Sequence, residues 1–366
     1  MNKKLIALAV AGACVAPAVM AQTANPVTLY GKVYVTFESV EAGGSPVAAN
    51  NDATKRRSRV EDQASRLGVR GTEDLGGGLK AVFQLETAFR PDQNNTAPSG
   101  GSAQPFATRN SGVGLQGGWG TVMMGRWDTP FKIATTDVDP FGDVTVGGIK
   151  IALNDGANFD RREQNVVQYW SPNWAGFALR LSYQANELKS AANDPKNYGG
   201  SVTYRGGPAY VFLAYEQHKD QVGDPFTTAA AAAGKKEKAI AVGGTFLFGP
   251  VRFGLVAERI EKSDRDDQKP WMANVLYTFG NNVIAWQYSQ NEGGRAPNTP
   301  QLDCSANVIG WQYNFSKRTF VLAQYAQVKN DNAVSNCGTS TFSAAPFTVT
   351  GGQDPKGFTL GVSHVF

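Results

Sequence analysis

The stretch SRLGVRGTEDLGGGLKAVFQLE, residues 65–86, reads as two strands joined by a tight turn. Leu79, Ala81, Phe83 and Leu85 alternate with Lys80, Gln84 and Glu86, so one face of the second strand meets an apolar medium and the other meets water. In the first strand Arg66 and Arg70 fall on the wet side. Between the strands, Asp74-Leu75-Gly76-Gly77-Gly78 carries the glycines that a hairpin turn requires. The same alternation sets Leu29, Val33, Val35 and Phe37 against Tyr30, Lys32, Tyr34 and Thr36. It sets Trp271, Ala273, Val275, Tyr277 and Phe279 against Asn274 and Thr278.

Short turn signals recur seven times, at residues 74–78, 117–120, 171–176, 205–208, 249–250, 280–282 and 316–318. Between them lie eight longer polar connections, at 39–64, 87–108, 128–164, 187–198, 219–238, 259–269, 289–306 and 329–356. Fifteen connections join sixteen strands. Strict alternation of short turns with long loops is the pattern of an outer-membrane barrel, short turns on the periplasmic side and long loops outside. A soluble sandwich has no reason to sort its loop lengths in this way. About sixteen strands is also the size at which a lumen becomes too wide for side chains to fill. The expected fold is therefore all-β, a 16-stranded antiparallel transmembrane β-barrel with both termini on the periplasmic side. In the last strand Phe358, Leu360, Val362, His364 and Phe366 share one face. The chain stops on an aromatic at the membrane interface, where aromatic girdles sit, and Phe366 is the candidate assembly signal.

Composition agrees with this pattern. Lys3 and Lys4 precede an apolar run from Leu5 to Met20 that ends in Val19-Met20-Ala21, the form of a signal peptide cleaved before Gln22. An alternative is a lipoprotein signal at Ala11-Gly12-Ala13-Cys14, although the usual Leu three residues before the Cys is absent. Cleavage at Ala21 leaves residues 22–366 as the barrel, 345 residues (366 less 21) with formal charge +2 after the loss of two lysines. So small a charge gives a nucleic-acid partner no support. No segment after residue 21 approaches 18 consecutive apolar residues, which excludes a helical span. Yet the chain has 20 Phe, 12 Tyr, 7 Trp and 41 Gly, a balance that suits a membrane barrel. Cys304 and Cys337 are an even pair in an exported chain, on long connections adjacent along the wall, and are expected to form a disulfide.

Lys32, Arg66, Arg70 and Lys80 all lie on the wet side of their alternation, as does Arg180. An arginine on the lipid face near mid-membrane costs about 2–4 kcal/mol, so these belong to the lumen. The longest connection, 128–164, carries Asp128, Asp137, Asp139, Asp143, Asp155 and Asp160. Fixed charges that line a pore set its ion preference. A basic wall partly offset by an acidic loop is expected to give a moderate preference for small anions.

Several stretches together resemble the Gram-negative porins of β-proteobacteria, the group with the neisserial and the Bordetella and Comamonas-type porins. They are Val27 to Gly31, Ser65 to Leu79, Asn165 to Val167 with Tyr169 and Ser171-Pro172, Tyr313 to Thr319, and His364-Val365-Phe366. The resemblance covers the whole mature chain. It implies a homotrimer of 16-stranded barrels in the outer membrane, among lipid and lipopolysaccharide, each barrel with its own pore narrowed by an inward-folded third loop. Asp139-Pro140-Phe141-Gly142 resembles the tip of that loop, with Asp143 where a second Gly is frequent. Arg126, in Met124-Gly125-Arg126, resembles a constriction position, although Val122 and Met124 share its side.

Enzyme chemistry finds no footing. The two histidines, His218 and His364, belong to no nucleophile motif, no clustered His and Cys offers a metal site, and no phosphate-binding glycine motif stands between strand and helix. No cofactor is expected. Ala229 to Ala233 reads as a low-complexity loop patch, and Lys235, Lys236 and Lys238 as a solvated edge or a lipopolysaccharide contact. An outer-membrane enzyme would need fewer strands and a catalytic constellation, and an adhesin would need a domain-sized loop. What remains is a general diffusion porin for small hydrophilic solutes or, as the alternative, a substrate-specific channel.

Overall fold

The computed structural model describes residues 26–43, 55–92, 106–142, 145–151, 153, 159–185, 187, 189–191, 193–220, 234–263, 265–295, 302–332, 335, 337–342, 349 and 351–366. The targeting segment expected at 1–21, Asp143, Asp155 and the Ala229–Ala233 patch lie outside them.

Eighteen hydrogen-bonded segments form one sheet. They make sixteen strands, because two strands are interrupted. In chain order these are β1 Val27–Gly43, β2 in two parts (Arg57–Asp62 and Arg66–Gly76), β3 Leu79–Ala88, β4 Ser111–Gly117, β5 Gly120–Asp128 and β6 Arg162–Trp170. Then come β7 Phe177–Gln184, β8 Lys196–Gly206, β9 Ala209–Lys219, β10 Lys236–Phe248 and β11 Val251–Lys262. The last are β12 in two parts (Arg265–Gln268 and Trp271–Phe279), β13 Asn282–Asn291, β14 Cys304–Asn314, β15 Thr319–Asn330 and β16 Asp354–Val365. Pro270 accounts for the break in β12, since it has no N–H for the ladder. The sheet closes when β16 pairs antiparallel with β1, from Lys32 opposite Val365 to Gly43 opposite Asp354. Phe366 completes the seam by exchanging backbone hydrogen bonds with Gly31 at 3.1 and 3.0 Å. A Cβ on Gly31 would lie 2.4 Å from the Phe366 ring, so the seam needs glycine there.

The outward face carries Leu29, Val113, Leu213, Val242, Leu255, Ile309 and Val362, all well exposed, as a lipid-facing belt must be. The ladder outlasts the belt. The sixth long connection, read from sequence as 259–269, is mostly strand, since β11 runs to Lys262 and β12 begins at Arg265. Above the lipid both faces of a strand are polar, so alternation disappears while the hydrogen bonds persist. The Arg259–Asp267 ion pair at 2.7 Å lies across that extension.

The lumen is partly filled by two connections. The third begins with α1, Pro130–Thr136, whose N-cap Thr129 accepts from the Lys132 amide, with Pro at the start of the helix where its missing N–H costs nothing. Phe131, Ala134, Val138, Ile149 and Phe159 are buried against the inner face of β9 to β12. That wall offers Ala214, Ala239 and Ala241, short side chains that leave room for the loop. A 3-10 turn, Ile149–Ile151, follows. The eighth connection also turns inward. Its short helix α2, Thr339–Phe342, buries Phe342 beside Phe141, Val146 and Ile151 of the third. The Gly338 amide donates to the Ile151 carbonyl at 2.9 Å. Cys304 and Cys337 are bonded, their Cα atoms 6.2 Å apart, which ties the eighth connection to the top of β14. Among the described residues no helix is long and apolar enough to cross a membrane.

Candidate pore constriction

Between the third loop and the wall of β1, β2, β15 and β16 lies a cavity of about 520 Å³. Lys32 and Arg66 enter it from neighbouring strands, opposite each other in the β1–β2 register. Arg109 reaches in from the second connection and Lys132 from α1. Two acids, Asp128 and Asp137, share the lining. Buried Glu86 orients the cations from behind. Its Oε1 accepts from Arg109 Nε at 2.7 Å, its Oε2 accepts from the Tyr30 hydroxyl at 3.1 Å, and Arg66 Nε lies 3.8 Å from it.

The acids of this region are held by cations away from the wall of Lys32 and Arg66. Asp137 is ion-paired with Arg205, whose guanidinium stacks on the Tyr210 ring at 3.9 Å. Arg180 and Arg252 lie within electrostatic reach of the same carboxylate. Asp128 takes Arg162 at 3.0 Å and Lys132 at 3.7 Å. The two carboxylate oxygens of Asp139 accept from the backbone amides of Phe141 and Ile149 at 2.9 and 2.8 Å, so this acid folds the loop tip.

The sequence-based candidates therefore separate. Lys32, Arg66 and Asp137 line the cavity together. Arg70 is lumenal but lies nearer the periplasmic end, over the Tyr30 ring at 5.1 Å. Lys80 is lumenal too, opposite Asp74 beside the first periplasmic turn. Arg126 is not among the residues that line this cavity. It shares the parity of Val122 and exposed Met124, pairs with Ser111, and donates from Nε to the Thr108 carbonyl at 2.9 Å. Arg109, Lys132, Arg205 and Arg252 were not singled out from sequence. Arg205 and Arg252 had a readable signal, the lumenal side of their alternation; Arg109 and Lys132 sit in irregular segments that carry none.

At the root of the third loop the structure assembles a polar group that the sequence did not foretell. Glu163 is ion-paired with Arg161 and accepts from Gln184 and Asn197 at 2.9 and 2.8 Å. Glu216 meets His218 Nε2 at 2.7 Å, and the His218 ring stacks on Phe159 at 4.6 Å. The ligand atoms of Glu163, Glu216 and His218 lie within 4.8 Å of one another, a spacing a metal ion could bridge. Glu163 is already answered by the Arg161 cation, and the group serves to pin the returning limb of the loop to β6, β8 and β9.

Comparison with known proteins fits this architecture. The family model described as Gram-negative porin matches residues 7–333. Outer membrane porin protein 32 of Delftia acidovorans is 31% identical over the full length of both chains. The major outer membrane protein P.IB of Neisseria meningitidis serogroup A is 29% identical, over 88% of this chain and 92% of that one. Among solved structures, the anion-selective porin from Comamonas acidovorans aligns with a TM-score of 0.74 at 27% identity, covering 93% of this chain and all of that one. OmpF of Salmonella typhi, at 16% identity and a TM-score of 0.67, shares the fold. The chain belongs to the Gram-negative porin family, a 16-stranded channel of the outer membrane and not an enzyme.

Proposed function

We propose that the channel is an anion-preferring general diffusion pore that works as a homotrimer in a lipopolysaccharide-containing membrane. The observation that carries the anion preference is the charge balance among the described residues: the lining holds four cations against two carboxylates, and the excess remains positive when Glu86, behind Arg66 and Arg109, is counted with them. Arginine stays protonated at any relevant pH, so the bias persists across neutrality. The similarity to the anion-selective Comamonas porin supports the same reading. The preference is a bias and not an exclusion, because the cavity is wide and salt screens it over about 10 Å at 0.1 M.

The trimer has separate support in the outer surface. Exposed outward aromatics recur from β7 to β14, among them Phe177, Tyr198, Tyr215, Phe253, Tyr277, Trp286 and Trp311. On β4 and β5 the exposed outward residues are the aliphatic Val113, Leu115 and Met124, with Trp119 at the turn between the strands. Strands whose exposed outward residues are aliphatic among the described residues, with an aromatic only at the turn, suit contact with another subunit. Two measurements test the proposal. Reversal potential in a dilute potassium chloride gradient should have the sign of chloride preference, and unheated detergent extracts should run as a heat-labile oligomer. A cation-signed potential, or a monomer in every mild detergent, would refute the corresponding half.

A further inference from the structure

We infer that the opening favours organic anions with an apolar body, aromatic carboxylates above all, over hydrophilic anions of similar size. The inference rests on the anion-preferring reading and adds a second face of the same cavity to it. Lumenal positions of a water-filled barrel are ordinarily polar. Here the lumenal alternation of β15 places Phe320 and Leu322 in the cavity lining, and that of β16 ends on Val365, 43% exposed. Tyr34 joins them from β1. Its ring meets Phe320 edge-on with centroids 5.5 Å apart, both residues registering with Ser363 between them. From the third loop Ile133 and Phe141 also line the cavity.

This apolar strip touches the basic set directly, for Lys32 Nζ lies 5.1 Å from the centroid of the Tyr34 ring. The Tyr34 hydroxyl is buried and has no hydrogen-bond partner among the described residues. An inorganic anion can use only the cations. An aromatic carboxylate can set its carboxylate toward Lys32 and Arg66 and lay its ring along Phe320 and Val365, which buried Tyr34 backs, removing apolar surface from water on both sides. The volume of about 520 Å³ is that of an ordinary small-molecule site, yet the cavity is open and the contacts are few. Binding is then weak enough for release, the condition for conduction.

The test is a bi-ionic reversal potential across a planar bilayer, with potassium chloride on one side and potassium benzoate or potassium gluconate on the other, at a pH that keeps both ionised. Benzoate should permeate better than gluconate, beyond their ratio of bulk mobilities, by roughly two- to tenfold, the scale of one stacking contact. Phe320→Ser should bring benzoate back to its mobility ratio with the chloride-against-potassium preference unchanged. Phe320→Leu, which keeps the volume apolar, should retain part of the excess. Benzoate and gluconate both following bulk mobility in the unmodified pore, with chloride preference intact, would overturn the apolar strip alone. A cation-signed potential in potassium chloride would overturn the anion reading beneath it.

Discussion

The two sides of the lumen obey different rules. Behind the third loop, β9 to β12 present Ala214, Phe212, Ala239, Ala241, Val256 and Met272 to the interior, and protein covers them. Facing the opening, β1 and β2 present Lys32 and Arg66, which line the cavity. Both walls belong to one sheet of the same period. What the inner face of a strand carries is thus set by what stands in front of it. The same division explains the third-loop acids, since Asp137 faces Arg205 on β8.

The largest expected effect comes from breaking the covered side. Phe131, on α1 of the third loop, is fully buried against the wall, and Phe131→Ala should cost about 3–5 kcal/mol of local stability. Limited proteolysis should then cut the third loop in a barrel that still resists heat in detergent, and single-channel conductance should rise. A variant with native conductance and an uncut loop would mean that the apolar contacts do not hold it.

Next in size is the disulfide. Cys304 and Cys337 close a loop with a sequence separation of 33, worth about 3–4 kcal/mol in the chain-entropy model. The double replacement by Ser should leave the barrel assembled and speed hydrogen exchange around Phe342 and Gly338. Unchanged exchange there would show that packing on Ile151 suffices without the bond.

A smaller effect tests which side of the wall Arg126 serves. Arg126→Gln should leave the reversal potential unaltered and lower the temperature at which the oligomer separates on a gel. A shift of the potential toward cations would return Arg126 to the pore. Smallest is Asp137→Asn. Removing one carboxylate that stands beside Arg205, with Arg180 and Arg252 in reach, should move the potential toward anions by less than the two-charge change at Lys32 and Arg66 moves it toward cations. A large shift would mean that this acid governs the pore.

The barrel was legible in the sequence because alternation and turn chemistry are local. Glycines after Asp74 and Pro250 after Gly249 mark turns wherever the strands lead. Lys32 and Arg66 were legible by parity. Lys132 and Arg109 were not, since they reach the opening through a helix and an irregular segment whose paths are fixed by tertiary packing. Nor was the Glu163–Glu216–His218 group, assembled from strands whose residues are far apart in sequence. Arg126 was ambiguous in the sequence: the motif around it resembles a constriction position, while Val122 and Met124 share its side.

The central claim is that the basic wall of Lys32 and Arg66, and not the third-loop acids, sets the selectivity. The most direct measurement is the reversal potential of Lys32→Gln/Arg66→Gln in a dilute potassium chloride gradient, beside the unmodified pore. The account predicts chloride preference in the unmodified channel and a marked shift toward potassium in the double variant, with the oligomer intact. An unmodified pore that prefers potassium, or a double variant with an unchanged potential, would contradict it.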